Sequence, residues 1–124
     1  MGVVSGERGR LAEDAAAWYL QGKGWQVLGR NQRTPVGELD LVCREGDTVV
    51  VVEVKARSGN LYGGALESIG PRKERRLRAA AAWWAAERGD CPCRLRFDVV
   101  VVALLGDGSL HSLAHLRDIL GNGG

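Results

Sequence analysis

The sequence predicts an α/β protein with a mixed sheet flanked by helices, and three features carry that expectation. Two valine-rich runs, TVVVVEVKA over 48–56 and RFDVVVVALL over 96–105, are apolar enough to be strands covered on both faces. Between them, 72–88 has the alanine content and periodicity of a helix, the arrangement of a right-handed parallel crossover. Upstream, GELDLVC over 37–43 alternates, and the turn residues of 44–48 (REGDT) join it to the first valine run as an antiparallel hairpin.

The remaining elements follow in chain order. Residues 5–21 read as a helix, with Ser5 able to cap it and Gly22 and Gly24 ending it. At 100° per residue, Leu11, Ala15, Trp18 and Tyr19 form an apolar arc, and Glu7, Arg10, Asp14 and Gln21 a polar one. Glu13 falls outside the polar arc, among Ala16, Ala17 and Leu20. WQVLGR over 25–30 is a short strand, and 57–70, with four glycines, is a loop. Pro71 suits the first turn of the second helix, whose stripe is Leu77, Ala80, Ala81, Trp84 and Ala85. After a turn at 106–108, residues 109–111 are a short strand and 113–120 a last helix. The expected order is α-β-β-β-α-β followed by these two small elements.

Size and composition bound the function. A chain of 124 residues suits one domain over 1–124, with an ordered core at 5–120 and a flexible tail at 121–124. Val, Leu, Ile and Phe make up 32 residues, which argues against disorder. The longest apolar run, 79–86, is far too short for a bilayer, and the charged start at 1–10 does not resemble a signal peptide. Three cysteines make no disulfide framework, so the expected location is cytoplasmic, without a membrane. The formal net charge is only +2, yet 72–78 (RKERRLR) carries five bases and one acid. That local excess suits a polyanion or, equally, a solvated helix face.

The hairpin holds the chemistry. A turn centred on Gly46, or between Gly46 and Asp47, sets Asp40 opposite Glu53 to within one residue, and Glu53 shares a strand face with Lys55. Two carboxylates so close repel unless a cation lies between them. Oxygen-only ligands favour Mg²⁺ or Mn²⁺, and magnesium is satisfied by one or two carboxylates and water. With a lysine alongside, the expected reaction is phosphodiester hydrolysis. The plainer alternative is an edge-strand ion pair between Glu53 and Lys55, with Asp40 capping a strand end. Against it, charges rarely interrupt so apolar a strand.

Asp40 followed by Glu53-Val54-Lys55 resembles the D…ExK signature of the PD-(D/E)XK nuclease superfamily, and the α-β-β-β-α-β order resembles its restriction-endonuclease-like core. More closely, GELDLV (37–42), VEVKAR (52–57), Lys73 and RFD (96–98) resemble the YraN-like family of bacterial proteins, itself similar to archaeal-type Holliday junction resolvases. The resemblance covers about residues 6–118; the superfamily's proline before the aspartate is Leu39 here. It implies Asp40 and Glu53 as ligands of Mg²⁺ or Mn²⁺, helped by the Val54 backbone carbonyl, and Lys55 as the catalytic lysine. Glu13 would be the additional acid brought toward the metal, although a buried ion pair or a local backbone contact would also account for its place. The implied activity is a metal-dependent endonuclease on structured or branched DNA, working as a homodimer. The alternatives are a nucleic-acid-binding module without turnover and a protein-interaction adaptor in which the acids are structural.

Around this centre, Lys73 points inward and either touches a phosphate at the rim or snorkels past the helix end. Arg57 either holds the nucleic-acid backbone or is a loop charge. Arg72, Arg75, Arg76 and Arg78 are expected phosphate contacts, which add affinity without sequence choice. Glu38 is a weaker candidate acid, and Asp98 is expected to cap its strand or pair with Arg96. Cys91 and Cys93 with His111 and His115 contain zinc-ligand types, but at a spacing that structural zinc disfavours.

Overall fold

The computed structural model describes residues 5–58, 69–89 and 94–120. Its elements are α1 (Ser5–Gly22), β1 (Gln26–Thr34), β2 (Gly37–Glu45), β3 (Thr48–Ser58), α2 (Pro71–Arg88), β4 (Arg94–Leu104) and β5 (Leu110–Leu116). The strands form one sheet in chain order, antiparallel throughout except for the β3–β4 pair. The α/β class, the hairpin and the parallel crossover are therefore as the sequence predicts.

The two valine runs are central, and their alternate residues feed two core layers. Val50 and Val52 of β3, with Val100 and Val102 of β4, meet α1 through Ala12, Ala16, Ala17 and Leu20. Val49, Val51 and Phe97 face the other way, onto Leu77, Ala80, Ala81 and Trp84 of α2. Small residues along both helices let them lie close on a sheet made broad by β-branched side chains. Helix α2 starts at Pro71 and closes at Gly89, whose φ of 68° suits glycine and whose N–H donates to the Ala86 carbonyl. Among the described residues, no helix is long and apolar enough to cross a membrane.

Three expectations are corrected. The last helix does not form: 110–116 is a strand on the outer edge of β4, with Leu113 and His115 opposite Val102 and Val100. Its leucines recur every third residue, which fits a helix, but the unpaired edge of β4 rewards a ladder that local sequence does not reveal. Strand β1 runs on to Thr34, past a register shift between Val27 and Gly29 and past Asn31, whose φ of 50° is one asparagine tolerates. Trp18, placed in the apolar arc, is 71% exposed, because the sheet takes the alanine-lined side of α1 instead. Most of the expected 57–70 loop, the Cys91 and Cys93 segment and the 121–124 tail lie outside the described residues.

Candidate active site

The β2–β3 ladder runs from Glu45 and Thr48 to Leu41 and Val52 and stops there. The next residues outward are Asp40 and Glu53, so both acids sit where the strands part. Parting leaves backbone donors without a ladder partner, and Asp40 Oδ2 accepts one of them, the Val54 N–H, at 2.9 Å. Glu53 and Lys55 share the face of Val49 and Val51, the α2 side, while Val54 and Ala56 pack toward α1. From the first turn of α2, Lys73 Nζ reaches to 3.4 Å from Glu53 Oε2. A cleft of about 510 Å³ opens here, lined by Glu38, Asp40, Glu53, Arg72, Lys73 and Arg76.

The electrostatics are those of crowded charge in a partly buried place. Burial, and then the Asp40 charge, raise the pKa of Glu53 against the pull of Lys73 and Lys55. Burial likewise raises Asp40, although the Val54 N–H and Lys55 favour its ionised form. Lys55 is lowered by burial and by the neighbouring Lys73. Burial works in the same sense on Lys73, but Lys55 and the Glu53 carboxylate outweigh it, so Lys73 is raised. Two crowded carboxylates thus lie beside two neighbouring amines, and each of the four groups is shifted by the others and by burial.

The other predicted residues divide. Arg72 and Arg76 line the cleft, whereas Arg75 is exposed elsewhere on α2 and is not part of the lining. Arg57 turns back on its own strand and donates to the Ala56 carbonyl at 3.0 Å. Arg78 is not a free phosphate contact: it pairs with Glu74 at 3.1 Å and donates to the Leu120 carbonyl at 3.0 Å. Glu38 lies in the cleft wall, 3.9 Å from Arg33.

Glu13 is not in that cleft. Its side chain, 16% exposed on the α1 side, accepts from Asn31 Nδ2 at 2.9 Å, with Arg30 at 3.8 Å. With Asp14, Arg30 and Asn31 it lines a separate cleft against β1. Burial raises its pKa; the Asn31 bond opposes this, and the Asp40 charge adds to it. Glu13 is thus within electrostatic range of Asp40 while held by β1. Asn31, which holds it, was missed by sequence reasoning; the available signal was an asparagine, tolerant of positive φ, inside a strand.

Asp98 pairs with Arg96, as the sequence suggests, but within a larger buried network. Both Asp98 oxygens accept from Arg96, at 2.9 and 3.1 Å, Oδ2 lies 2.8 Å from His115 Nε2, and the Asp118 N–H donates to Oδ1. His115 Nδ1 is in turn 3.1 Å from the Tyr19 hydroxyl. His115 is therefore committed to joining β5, β4 and α1, on the sheet face away from the cleft.

Comparison with known proteins agrees with the motifs. The model of a family described as "Uncharacterised protein family UPF0102" matches residues 12–102. A UPF0102 protein of Pelotomaculum thermopropionicum is 46% identical over 110 residues, covering 89% of this chain and 92% of its own. Another, from Anaeromyxobacter dehalogenans, is 48% identical over 100 residues, covering 81% and 74%. Among solved structures, one titled "Structure of EndoMS-dsDNA2 complex" aligns at a TM-score of 0.43 and 22% identity, over 78% of this chain and 37% of that longer one. By the family match and these relatives, the chain belongs to the UPF0102 family, the YraN-like proteins its hairpin motifs resemble.

Proposed function

We propose that this protein is a Mg²⁺- or Mn²⁺-dependent endonuclease that hydrolyses phosphodiester bonds in structured or branched DNA. The observation that carries it is the convergence of Asp40 and Glu53 where β2 and β3 part, beside Lys55 and under the basic start of α2. The oxygen donors at this point are the carboxylates of Asp40 and Glu53, which line one cleft. That set fits a magnesium-like ion, which binds through one or two carboxylates and keeps several waters. Asp40 and Glu53 would hold the ion with the Val54 carbonyl, and Glu13 is the additional acid that the resemblance implies. Bound there, the ion supplies Lewis acidity toward a phosphoryl oxygen and a more acidic water.

The chain's own groups supply the rest. The Val54 N–H fixes the Asp40 carboxylate, which loses little freedom on binding. Lys55, on the same strand face as Glu53, would orient the attacking water and offset charge developing on the phosphorus oxygens. Arg72, Lys73 and Arg76 present positive charge along the cleft for the backbone to enter, with Arg57 and Arg75 as outlying contacts. The preference for branched DNA, and two copies acting together, rest on the resemblance to archaeal-type resolvases.

Calorimetric titration with Mn²⁺, paired with incubation on four-way and linear DNA, tests this. Wild type is expected to bind Mn²⁺ and cut the junction, with both lost in Asp40→Ala. Junction binding without cutting would leave a nucleic-acid-binding module, and absence of Mn²⁺ binding would remove the metal reading. Cleavage that survives Glu53→Ala and Lys55→Ala together would come from a contaminant.

A further inference from the structure

We propose that Lys73 is a built-in counter-ion: it holds Glu53 while no divalent cation is bound, and is released to a DNA phosphate when one arrives. The inference rests on the metal-dependent reading above and adds to it a coupling between metal and nucleic acid.

The geometry of Lys73 separates it from Lys55. Lys55 belongs to β3, two residues from Glu53, and its stem is fixed by the strand. Lys73 approaches from a different element, the first turn of α2, on a flexible four-carbon stem. Its contact with Glu53 is 3.4 Å, longer than a strong charge-assisted hydrogen bond, and the lysine side chain is 36% exposed against 9% for the glutamate. A cation at Glu53 can therefore displace Lys73 at small cost, whereas Glu53 cannot leave. Its own helix does not restrain it either, because Glu74, the acid in the first turn of α2, is taken by Arg78. The lysine also shares the cleft wall with Arg72 and Arg76, so an ammonium leaving Glu53 has the phosphate-facing side open to it.

Charge counting gives the direction. Asp40 and Glu53 are balanced by Lys55 and Lys73, and the rim sets Arg72 and Arg76 against Glu38, so an arriving divalent ion leaves the cleft with surplus positive charge. A phosphodiester on Lys73 removes part of that surplus. Metal should then tighten DNA binding, and by reciprocity DNA should tighten metal binding by the same factor.

Mn²⁺ titration of wild type, Lys73→Gln and Lys73→Arg without DNA is the first arm. Lys73→Gln removes the competitor and should bind Mn²⁺ about two- to fivefold tighter, the scale of a part-exposed ion pair. Lys73→Arg keeps the charge and should stay within about twofold of wild type. The second arm measures anisotropy of a labelled four-way DNA junction in a Lys55→Ala background, which leaves the junction intact. Mn²⁺ should strengthen junction binding when Lys73 is present, and far less when Lys73→Gln is added. Equal or weaker Mn²⁺ binding by Lys73→Gln, with unchanged circular dichroism, would overturn the proposal. If wild type binds Mn²⁺ and Asp40→Ala does not, that failure belongs to Lys73 alone; if wild type binds none, the metal reading falls and takes this inference with it.

Discussion

Replacing Asp98 with Asn removes one negative charge from the centre of the buried network and leaves its shape. The Asp98 side chain is fully buried, yet Arg96, His115 and the Asp118 N–H all point at it. Burial alone would raise its pKa, but the bonds from His115 and Arg96 outweigh burial and hold it at about 2, against 3.8 for a free aspartate. The difference corresponds to about 2 kcal/mol of folding stability. Because the folded-state value is depressed, that stability is fully present above pH 3.8 and is lost as pH falls toward about 2. Oδ1 accepts from Arg96 Nε and the Asp118 N–H, and Oδ2 from Arg96 beside His115 Nε2, so an Asn amide nitrogen in either place would face an N–H donor. Asp98→Asn should therefore lose about 2 kcal/mol at pH 7, roughly a 5–10 °C fall in Tm for a chain of this size. Urea unfolding followed by tryptophan fluorescence, repeated from pH 7 to pH 2.5, measures it. A variant within about 0.5 kcal/mol of wild type at pH 7 would refute the reasoning, as would a deficit that does not shrink in acid.

Three further outcomes follow. Glu53→Gln should raise the Tm in EDTA at pH 7 by about 2–8 °C, because the folded state disfavours the ionised carboxyl, a penalty present above the raised pKa and relieved as pH falls through it. A lower Tm would show that the Lys73 contact outweighs burial and the Asp40 charge. Leu20→Ala, fully buried between α1 and the sheet, should cost about 2–5 kcal/mol, and Trp18→Ala, exposed, within about 0.5 kcal/mol; denaturant midpoints separate the two, and the reverse order would move the buried face of α1. Cys43, whose thiol burial pushes up to about 12, should resist a thiol reagent until the protein unfolds, and rapid native labelling would contradict its position.

The parts of the fold set by short-range pattern were legible in the sequence. The hairpin register was predicted to within one residue, and Leu41 does pair with Val52 at the far end of the ladder that starts at the Gly46 turn, where φ is 60°. The α2 stripe was also legible, since Leu77, Ala80, Ala81 and Trp84 recur at helical spacing and are the buried ones. Lys73 was legible as inward-pointing for the same reason. What failed depends on partners distant in sequence. Residues 110–116 become a strand because β4 offers an edge, and this in turn brings His115 to Asp98. Arg75, Arg76 and Arg78 look alike in a charge run; only the fold sends Arg76 to the cleft, Arg78 to Glu74 and Arg75 outward. The place of Glu13 among buried alanines was readable from the helical wheel, but its partner Asn31 was not, because that contact needs the irregular stretch of β1.

A crystal grown or soaked with Mn²⁺ tests the central claim most directly. Anomalous density is expected within about 2.0–2.4 Å of carboxylate oxygens from both Asp40 and Glu53, with waters completing the shell and Lys73 drawn away from Glu53. Density that touches neither carboxylate, or a well-ordered site empty at millimolar Mn²⁺, would contradict the account.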